Sequence, residues 1–422
     1  MMSDKCTRDP GLLPNKLYQR IELPDGRILP GNDRSYLNET IFDADVSGQT
    51  MLDIGSCLGH FCIEGLRRGM RAATGIEPYS DSISLARELG QSFDLTPQYI
   101  QGDFETWHTD ERYDVVLCLN VLHHMYDPVH AMRRMMRMAR RKVVLEVAVP
   151  TVGEMASSHF NRLLPLVGRN VPMLVCGRRG SNAHAATRTF LLSRQAIETI
   201  FNYHSHLYEP VKTYQSPMKK RMIVEARRRR ISHLTVICGP SGCGKSTFMR
   251  RLNEDADLRR QLDLPEDVSA AVAAGRINSS LPGGEQEHVI LHYDMLRPFD
   301  RSLRTYERDP ACDLLQIADK ISFLTIVTDS ARLRDQLANH KVSRRKGLWA
   351  VIAKPNVKLN KRHHKLLALY EEPSFLQDRY REWFEFCAKV AEKTDSHTFV
   401  ENQGTYAFHG FDKWEELSGR LF

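Results

Sequence analysis

Two glycine-rich loops follow short apolar segments of the chain, and their charged residues differ in sign. The first loop is Asp53–Gly59 (DIGSCLG), and the second is Gly239–Ser246 (GPSGCGKS). Glycine lets a backbone turn tightly and approach a ligand closely. The carboxylate of Asp53 repels phosphate and suits a cationic ligand, whereas Lys245 attracts phosphate. The sequence therefore predicts two sites with different ligands.

The second loop matches the phosphate-binding pattern G-x-x-x-x-G-K-[ST]. An apolar segment, HLTVIC, precedes it, and a helical segment, TFMRRLNEDA, follows. In such a loop the backbone N–H groups surround phosphates, the lysine reaches the outer phosphates, and the hydroxyl residue binds Mg²⁺. The pattern predicts a site for ATP (or GTP) with Mg²⁺, formed by Gly239, Ser241, Gly242, Cys243, Gly244, Lys245, Ser246 and Thr247.

Charged residues farther along the chain could complete this site. Asp294 ends the apolar segment HVILHYD, where an acid either holds Mg²⁺ or accepts the proton of an attacking hydroxyl. Arg332 and Arg334 could stabilise charge on a transferred phosphoryl group. They also fit the exposed face of an amphipathic helix. Further basic residues follow at Arg344, Arg345 and Lys346.

Over residues 233–345 these features resemble the small P-loop kinases. The resemblance implies that Asp294 is the catalytic base, that Lys245 acts in phosphoryl transfer, and that Arg332 and Arg334 belong to a lid. The alternative is a nucleotide-driven switch, in which Asp294 serves Mg²⁺ and phosphate passes to water.

Three polar residues follow apolar segments after the first loop. Glu77 could accept both hydroxyls of a ribose, Asp103 could accept the amino group of adenine, and Asn120 would line the pocket mouth. With Asp53, Gly55 and Gly59, these residues resemble class I S-adenosylmethionine (SAM)-dependent methyltransferases over residues 45–225, especially those that modify small molecules, sugars or the tRNA wobble uridine. The resemblance implies SAM as cofactor. Cys57 stands where the family usually has a third glycine.

A methyltransferase can also require a base that takes a proton from the acceptor. His123 is the candidate here, with His124 beside it, because histidine titrates near working pH. Alternatively, one of the two packs against the adenosine and the other caps a turn. Glu146 could face the acceptor or orient the site.

Apolar segments alternate with helical segments in both halves of the chain, which predicts an α/β protein. We expect two doubly wound parallel-sheet domains, a Rossmann-like SAM methyltransferase and a P-loop NTPase or kinase. The segments HLYEPVKTYQS and KKRMIVEARRR predict two strands that form an antiparallel pair closing the first sheet, and residues 151–190 predict an insertion. The expected divisions are a lead-in that covers the first site (1–45), the methyltransferase (46–226), a basic linker (227–232) and the kinase-like domain (233–422).

The composition and charge of the chain limit the kind of protein that it can be and the compartment in which we expect it. The chain has 422 residues, a net charge of +7 and nine cysteines, an odd number that fits free thiols in a reducing compartment. No apolar run reaches the roughly 20 residues that a membrane helix needs, and the start of the chain lacks a secretory pattern. We expect a cytoplasmic protein. Arg227–Arg230 could bind nucleic acid or anionic membrane, or form a solvated linker.

The two predicted sites together suggest a bifunctional enzyme. It would transfer a methyl group from SAM and a phosphoryl group from ATP to a hydroxyl-bearing small molecule, sugar or glycan. The alternative is an RNA-modifying or tRNA-modifying methyltransferase joined to an ATPase or switch-like P-loop domain. The C-terminal segment, with Trp383 and Trp414, could pack that domain or bind its acceptor.

Overall fold

A computed structural model describes residues 18–150, 171–177, 189–204, 206–268, 271–274, 277, 285–300, 305–338, 364–410, 412 and 414–421. The chain divides into two compact units, Met1–Arg228 (unit 1) and Arg229–Phe422 (unit 2). Most of the predicted insertion at 151–190, and the basic residues Arg344, Arg345 and Lys346, lie outside the described residues.

Strands in unit 1 alternate with helices over most of its length. The strands are β1 (Ile21–Glu22), β2 (Ile28–Leu29), β3 (Thr50–Ile54), β4 (Ala72–Glu77), β5 (Gln98–Gln101), β6 (Tyr113–Leu119), β7 (Ala139–Ala148), β8 (Leu174–Gly177), β9 (Thr189–Leu192), β10 (Lys212–Gln215) and β11 (Arg221–Arg227). The helices are α1 (Asn38–Ile41), α2 (His60–Arg67), α3 (Ser80–Ser92), α4 (Pro128–Met138) and α5 (Arg194–Tyr203), with 3-10 turns at Ser35–Leu37 and Leu122–His124.

The main sheet of unit 1 has the order β10-β11-β7-β6-β3-β4-β5. The strands from β7 to β5 are parallel, and every residue of β3 is buried, as expected for a strand covered on both faces. β11 is antiparallel to both β7 and β10, which confirms the predicted antiparallel pair. The short connection from β10 to β11 permits only an antiparallel hairpin, so the sheet is parallel from β7 to β5 and antiparallel at this edge.

This order places the first glycine loop at a crevice. The chain leaves β3 toward β4 on one side, while β6 is the neighbour of β3 on the other side. Ligands of open α/β sheets bind where the strand order reverses in this way, outside the carboxyl ends of the strands. The β1–β2 hairpin packs its apolar side chains against α2 and α3, in a cluster made of Ile21, Leu23, Leu29, Leu58, Ile63, Leu85 and Leu89.

Unit 2 is a second α/β structure. Its strands are β12 (Ile231–Gly239), β13 (Val272–Ala273), β14 (Gln286–Asp294), β15 (Ala318–Val327), β16 (Thr394–Asn402) and β17 (Tyr406–Gly410). Its helices are α6 (Lys245–Glu254), α7 (Ala256–Gln261), α8 (Arg297–Asp300), α9 (Leu314–Ile317), α10 (Ser330–Ala338), α11 (Pro373–Ala388) and α12 (Trp414–Leu421), with 3-10 turns at Tyr306–Arg308 and Ala391–Lys393.

The sheet of unit 2 has the order β13-β14-β12-β15-β16-β17, and only β17 departs from the parallel direction. The sheet is therefore parallel apart from the β16–β17 hairpin at one edge. Trp383 on α11 is buried and stacks on Tyr293, with ring centroids 5.4 Å apart. Its indole N–H donates to Thr325 Oγ1 at 3.2 Å. Trp383 therefore packs the core of unit 2.

The basic run differs from the solvated linker that the sequence predicts. Arg227 ends β11, and Ile231 begins β12. Arg228 and Arg229 are both buried. The backbone N–H of Arg228 donates to the carbonyl of Arg141 at 2.6 Å, which continues the contact of β11 with β7. The run is thus built into folded structure at the boundary.

Within the described residues, no helix combines the length and apolar character needed to cross a bilayer.

Candidate active sites

The first glycine loop makes two close backbone approaches. Gly55 has φ +71°, and a Cβ there would lie 2.3 Å from Val121 Cγ2, in the loop after β6. Gly59 has φ +72° and begins α2, and its Cβ would lie 1.9 Å from the Tyr99 hydroxyl. Both positions need a residue without a side chain. The loop therefore lies tight against its neighbours at the carboxyl edge of the sheet.

Asp53 is a buried acid near the end of β3, 2% exposed. Its Cα lies in register with Gly75 on β4 and Leu117 on β6, so it occupies the centre of the sheet. Burial raises the pKa of its carboxyl group to about 7, and the negative charge of Glu77 adds to the effect, while Arg34 opposes it. Two acids close together in a buried site favour a cationic ligand.

Glu77, at the end of β4, holds the first loop in place. Its Oε2 accepts from the backbone N–H of Cys57 at 3.0 Å, and its Oε1 accepts from that of Tyr79 at 3.4 Å. Burial raises the pKa of this carboxyl group, although the two hydrogen bonds oppose the change. Each carboxylate oxygen has a second acceptor position, so Glu77 can still accept hydroxyl groups of a ligand.

Asn120 and Asp103 occupy different surroundings at the same sheet edge. Asn120 follows β6 with φ +68°, a conformation that asparagine tolerates, and its Nδ2 donates to the Tyr18 hydroxyl at 2.8 Å. Tyr18 thus brings the segment before β1 over this edge. Asp103 is exposed, and its Oδ1 accepts from the backbone N–H of Glu105 at 2.9 Å. Its outer oxygen faces solvent-accessible space beside the end of β5.

The two candidate bases lie in the 3-10 turn after Asn120. His123 is buried and His124 is exposed, and their ring centroids are 4.0 Å apart. Burial distinguishes the two histidines, because only the His123 ring is enclosed by the protein. The alternative, in which one histidine packs against the adenosine and the other caps a turn, stays open.

Glu146 is fully buried and has several partners that the motifs did not reveal. Its Oε2 accepts from Arg34 Nη2 at 2.7 Å, and its Oε1 accepts from the hydroxyls of Tyr36 at 2.7 Å and Ser216 at 2.6 Å. Burial and the Glu146 hydrogen bond raise the pKa of Tyr36 to about 12. These bonds occupy the Glu146 carboxylate, which favours the orienting role. No sequence signal marked Arg34, because its partner lies 112 residues away.

Arg34 is itself a functional candidate. Its side chain is 2% exposed, and its guanidinium acts on both Asp53 and Glu146. The Arg34 Nε–H is buried and has no hydrogen-bond partner among the described residues. A buried N–H donor of this kind needs an acceptor, so the site offers a donor beside an acid.

The second loop also depends on glycine backbone. Gly242 and Gly244 have φ +91° and +92°. Gly244 begins α6, and a Cβ there would lie 2.7 Å from Asn402 Nδ2, which donates to the Cys243 carbonyl at 2.8 Å. β12 thus runs into the loop, and the loop into α6, as the phosphate-binding pattern predicts.

Lys245 is folded back over this loop. Its ammonium donates to the carbonyls of Gly239 at 2.7 Å and Pro240 at 2.8 Å, and the side chain is buried. Burial works against the charged form, but Cys243 and Asp294 outweigh it and raise the pKa of Lys245 above its ordinary value. The lysine is therefore a fixed positive charge inside the loop.

A cavity of about 800 Å³ opens over the second loop. Asp294 reaches it from the end of β14, in register with Gly239 on β12. The Asp294 Oδ1 accepts from the backbone N–H of Leu296 at 3.1 Å. Among the predicted residues, those that line the cavity are Ser241, Gly242, Gly244, Lys245, Ser246, Thr247, Asp294 and Arg332. Gly239 and Cys243 shape the loop beneath it.

The two candidate arginines separate on α10. Arg332 lines the cavity, while Arg334 is exposed and does not. Positions two apart on a helix point in different directions. His292, which sequence reasoning missed, lies two residues before Asp294 on the same face of β14 and also lines the cavity. Its Nε2 is buried with no hydrogen-bond partner among the described residues, and burial lowers the pKa of the ring.

A comparison with protein families matches a segment of unit 1. Residues 52–146 match a family model described as a methyltransferase domain. A curated relative, the ubiquinone biosynthesis O-methyltransferase of Aeromonas salmonicida, is 32% identical over 95 residues, which are 22% of this chain and 40% of that protein. The chain thus spans less than half the length of this relative.

Two solved structures are also similar to this chain, at lower sequence identity. The magnesium protoporphyrin IX methyltransferase (ChlM) from Synechocystis PCC 6803 with bound SAH is 19% identical, with a TM-score of 0.33 over 46% of this chain and 80% of that one. The N-terminal domain of EvdMO1 with SAH bound is 18% identical, with a TM-score of 0.38 over 50% of this chain and 90% of that one. The segment that the family model matches contains Asp53, Gly55, Gly59, Glu77 and Asn120, so the match to a methyltransferase domain includes most of the first candidate site.

Proposed function

We propose that this chain is a bifunctional transferase that moves a methyl group from SAM and a phosphoryl group from ATP to a hydroxyl-bearing acceptor. The observation that carries the proposal is the opposite charge of two similar glycine loops. Asp53 is buried beside the first loop, and Lys245 is buried within the second. Each charge matches one of the two donors.

The residues of unit 1 fit SAM. Asp53 and Arg34 offer an acid and a guanidinium side by side, which complements the ammonium and carboxylate of a methionine end. Gly55 and Gly59 leave room for close backbone approach, and Glu77 accepts the ribose hydroxyls. SAM supplies an activated methyl group. The protein holds donor and acceptor in line and excludes water, and His123 takes the acceptor proton.

The residues of unit 2 fit ATP with Mg²⁺. The loop N–H groups and the start of α6 surround the phosphates, and Lys245 neutralises their charge. Ser246 and Asp294 reach the same cavity and would hold Mg²⁺. Alternatively, Asp294 would take the proton of the attacking hydroxyl, and Arg332 would stabilise the transferred group. ATP supplies the phosphoryl group.

A sugar or glycan is the acceptor class that we favour over RNA. The named relative is an O-methyltransferase, which supports a hydroxyl acceptor. The basic run that suggested RNA is partly buried at the unit boundary, since Arg228 and Arg229 lie inside the fold. That burial removes much of the positive surface that RNA binding requires.

Labelled SAM and labelled ATP test the proposal on the purified full chain. Each donor is incubated with a panel of hexoses, glycans and short RNAs, beside Asp53→Asn and Asp294→Asn variants. We expect both labels in a sugar or glycan, with methyl transfer lost in the first variant and phosphoryl transfer in the second. Label in RNA, or release of free phosphate alone, would reject the sugar-transferase proposal and support the RNA-modifying or switch alternative.

A further inference from the structure

Two carbonyl groups of the second glycine loop are held by side chains from the C-terminal part of the chain. Tyr370, which lies shortly before α11, donates its hydroxyl to the carbonyl of Ser241 at 2.8 Å. Asn402, at the end of β16, donates from Nδ2 to the carbonyl of Cys243 at 2.8 Å. Both side chains are buried. The loop pattern indicates neither contact, because the partners lie 129 and 159 residues farther along the chain.

The direction of each held carbonyl fixes the direction of the next N–H group. In a planar trans peptide, the C=O of one residue and the N–H of the following residue point to opposite sides. The held carbonyl of Ser241 therefore turns the Gly242 N–H group away from Tyr370. The held carbonyl of Cys243 likewise turns the Gly244 N–H group away from the Asn402 amide.

These two N–H groups are available to a ligand. Gly242 and Gly244 both line the cavity over the loop, and neither N–H group has a hydrogen-bond partner among the described residues. Tyr370 is not among the described residues that line the cavity, so it holds the loop from behind. Successive N–H groups in such a turn form a concave site for anions. The loop thus presents two donors on the side opposite its held carbonyls.

The glycine after each held carbonyl makes an anchor necessary. When a peptide turns over, ψ of the residue before it and φ of the residue after it change, and glycine accepts almost any φ. The peptides that precede Gly242 and Gly244 could therefore turn over at little cost if their carbonyls were not held. A turned peptide would direct a carbonyl oxygen at the ligand, and that oxygen repels phosphate.

The anchoring side chains are themselves fixed by the fold. Asn402 Oδ1 accepts from the backbone N–H of Gly404 at 3.2 Å, which leaves Nδ2 to face the loop. Thr328 Oγ1 donates to the backbone carbonyl of Asn402 at 3.0 Å. The ring of Tyr370 packs near that of Phe375, with centroids 6.3 Å apart. Both donors are therefore in place before a ligand arrives, as preorganised binding requires.

We propose that Tyr370 and Asn402 are positioning residues for nucleotide phosphates. By holding two loop carbonyls, they direct the N–H groups of Gly242 and Gly244 toward the phosphate oxygens. The proposal rests on the proposed binding of ATP by unit 2. It gives the C-terminal segment a role at the second loop, which the sequence motifs did not assign to it.

Calorimetric titration of tripolyphosphate with Mg²⁺ into the full chain tests this proposal, because this probe carries the phosphates without a base or a ribose. The variants are Tyr370→Phe, which loses one hydroxyl, and Asn402→Ala. Tyr380→Phe is the matched control, since the buried Tyr380 hydroxyl donates to the carbonyl of Ile326 on β15 at 2.9 Å, outside the loop. Melting curves show which variants are folded.

The N–H signals of the two glycines provide a readout that a purely structural role would not change. In NMR spectra of protein with ¹⁵N-labelled glycine, the Gly242 and Gly244 signals should both move when the parent binds tripolyphosphate. Tyr370→Phe should reduce the movement of the Gly242 signal alone. Asn402→Ala should reduce that of the Gly244 signal alone, because each side chain holds the peptide of one glycine.

We expect Tyr380→Phe to bind tripolyphosphate as the parent does. Tyr370→Phe and Asn402→Ala should each bind about five- to tenfold more weakly, the effect of one lost hydrogen bond. No binding by the parent, equal binding by all folded variants, or glycine signals that do not move would overturn the proposal. The assay with labelled ATP keeps the two proposals distinguishable, because tripolyphosphate binding without transfer rejects phosphoryl transfer and leaves the positioning role intact.

Discussion

The two glycine loops, Asp53–Gly59 in unit 1 and Gly239–Ser246 in unit 2, have similar backbones and opposite charges. Each follows a central strand that has a parallel neighbour on both sides, and each contains a left-handed glycine directly before a helix, with φ +72° at Gly59 and +92° at Gly244. The start of a helix attracts anions in both cases. Loop shape alone therefore does not choose the ligand.

Buried charged side chains determine which ligand each loop attracts. In unit 1, Asp53 and Glu77 place two acids beside the helix start and offset its attraction for anions. In unit 2, Lys245 adds a positive charge to the same kind of helix start. The comparison teaches that one or two buried charges convert a common phosphate-binding backbone into a site for a cationic donor.

The largest expected effect comes from removing the charge of the second loop. Lys245→Ala should lower phosphoryl transfer by about 10²–10³-fold, because a positioned charge that stabilises the transition state is lost. SAM affinity should not change. The measurement is initial rate with labelled ATP, with Lys320→Ala as control, since Lys320 is an exposed lysine of unit 2. Undiminished transfer in Lys245→Ala would contradict the assigned role of the loop.

The next prediction concerns removal of the negative charge of Asp53 in the first loop. Asp53→Asn should weaken SAM binding by about 10–100-fold, the effect of losing a charged hydrogen-bond acceptor. With a pKa of about 7, Asp53 is increasingly protonated as the pH falls below 7, so SAM affinity of the parent should rise with pH and level off above 7. Calorimetric titration from about pH 5.5 to about pH 8.5 measures this slope.

The Asp53→Asn variant is the control for the change of SAM affinity with pH. Because the amide side chain in Asp53→Asn cannot titrate, SAM affinity of this variant should vary little over the same pH range. The raised pKa also predicts that the parent loses stability as pH rises from about 4 to 7, since the folded state then holds a proton that the unfolded chain releases. If neither the SAM affinity nor the stability of the parent changes with pH in this way, Asp53 faces neither Glu77 nor the ligand as described.

Sequence reasoning predicted the parts of each site that depend on local order. Asp53 and Glu77 lie at the carboxyl ends of strands and the glycines follow β3, and parallel strands bring their carboxyl ends to one edge. The antiparallel β10–β11 pair was also predicted, because two strand-like segments are separated by a short turn. Pairing at the sheet edges was less predictable, since β17 joins β16 through contacts that periodicity alone does not reveal.

The rest of the sites depends on contacts between distant residues. Arg34 reaches Glu146 across 112 residues, and Asn402 reaches the Cys243 carbonyl across 159. Neither residue type nor spacing marks such a pair in one sequence. The choice between Arg332 and Arg334 likewise required the orientation of α10. The basic run misled the prediction because charge suggests exposure, yet Arg228 is buried against backbone carbonyls.

A smaller effect should come from Arg34, the unpredicted cation of the first site. Arg34→Lys retains the charge beside Glu146 but removes the Nε–H and the planar fork. SAM affinity should fall about five- to tenfold, the effect of one charge-assisted hydrogen bond. Decarboxylated SAM, which lacks the partner carboxylate, should bind parent and variant alike. Equal losses for both ligands would mean that Arg34 acts only by holding Glu146.

The smallest expected effect concerns the position where the two loops differ in glycine content. Cys57 has φ +51°, a left-handed conformation that costs about 1 kcal/mol for a residue with a Cβ. Cys57→Gly relieves that strain but adds freedom to the unfolded chain, so the two changes nearly offset each other and leave a gain of about 0–1 kcal/mol in unfolding free energy. Cys57→Val should lose stability, because a branched side chain fits this conformation worst. Denaturant titration of both variants measures the difference, and a less stable glycine variant would show that packing of the Cys57 side chain outweighs its backbone strain.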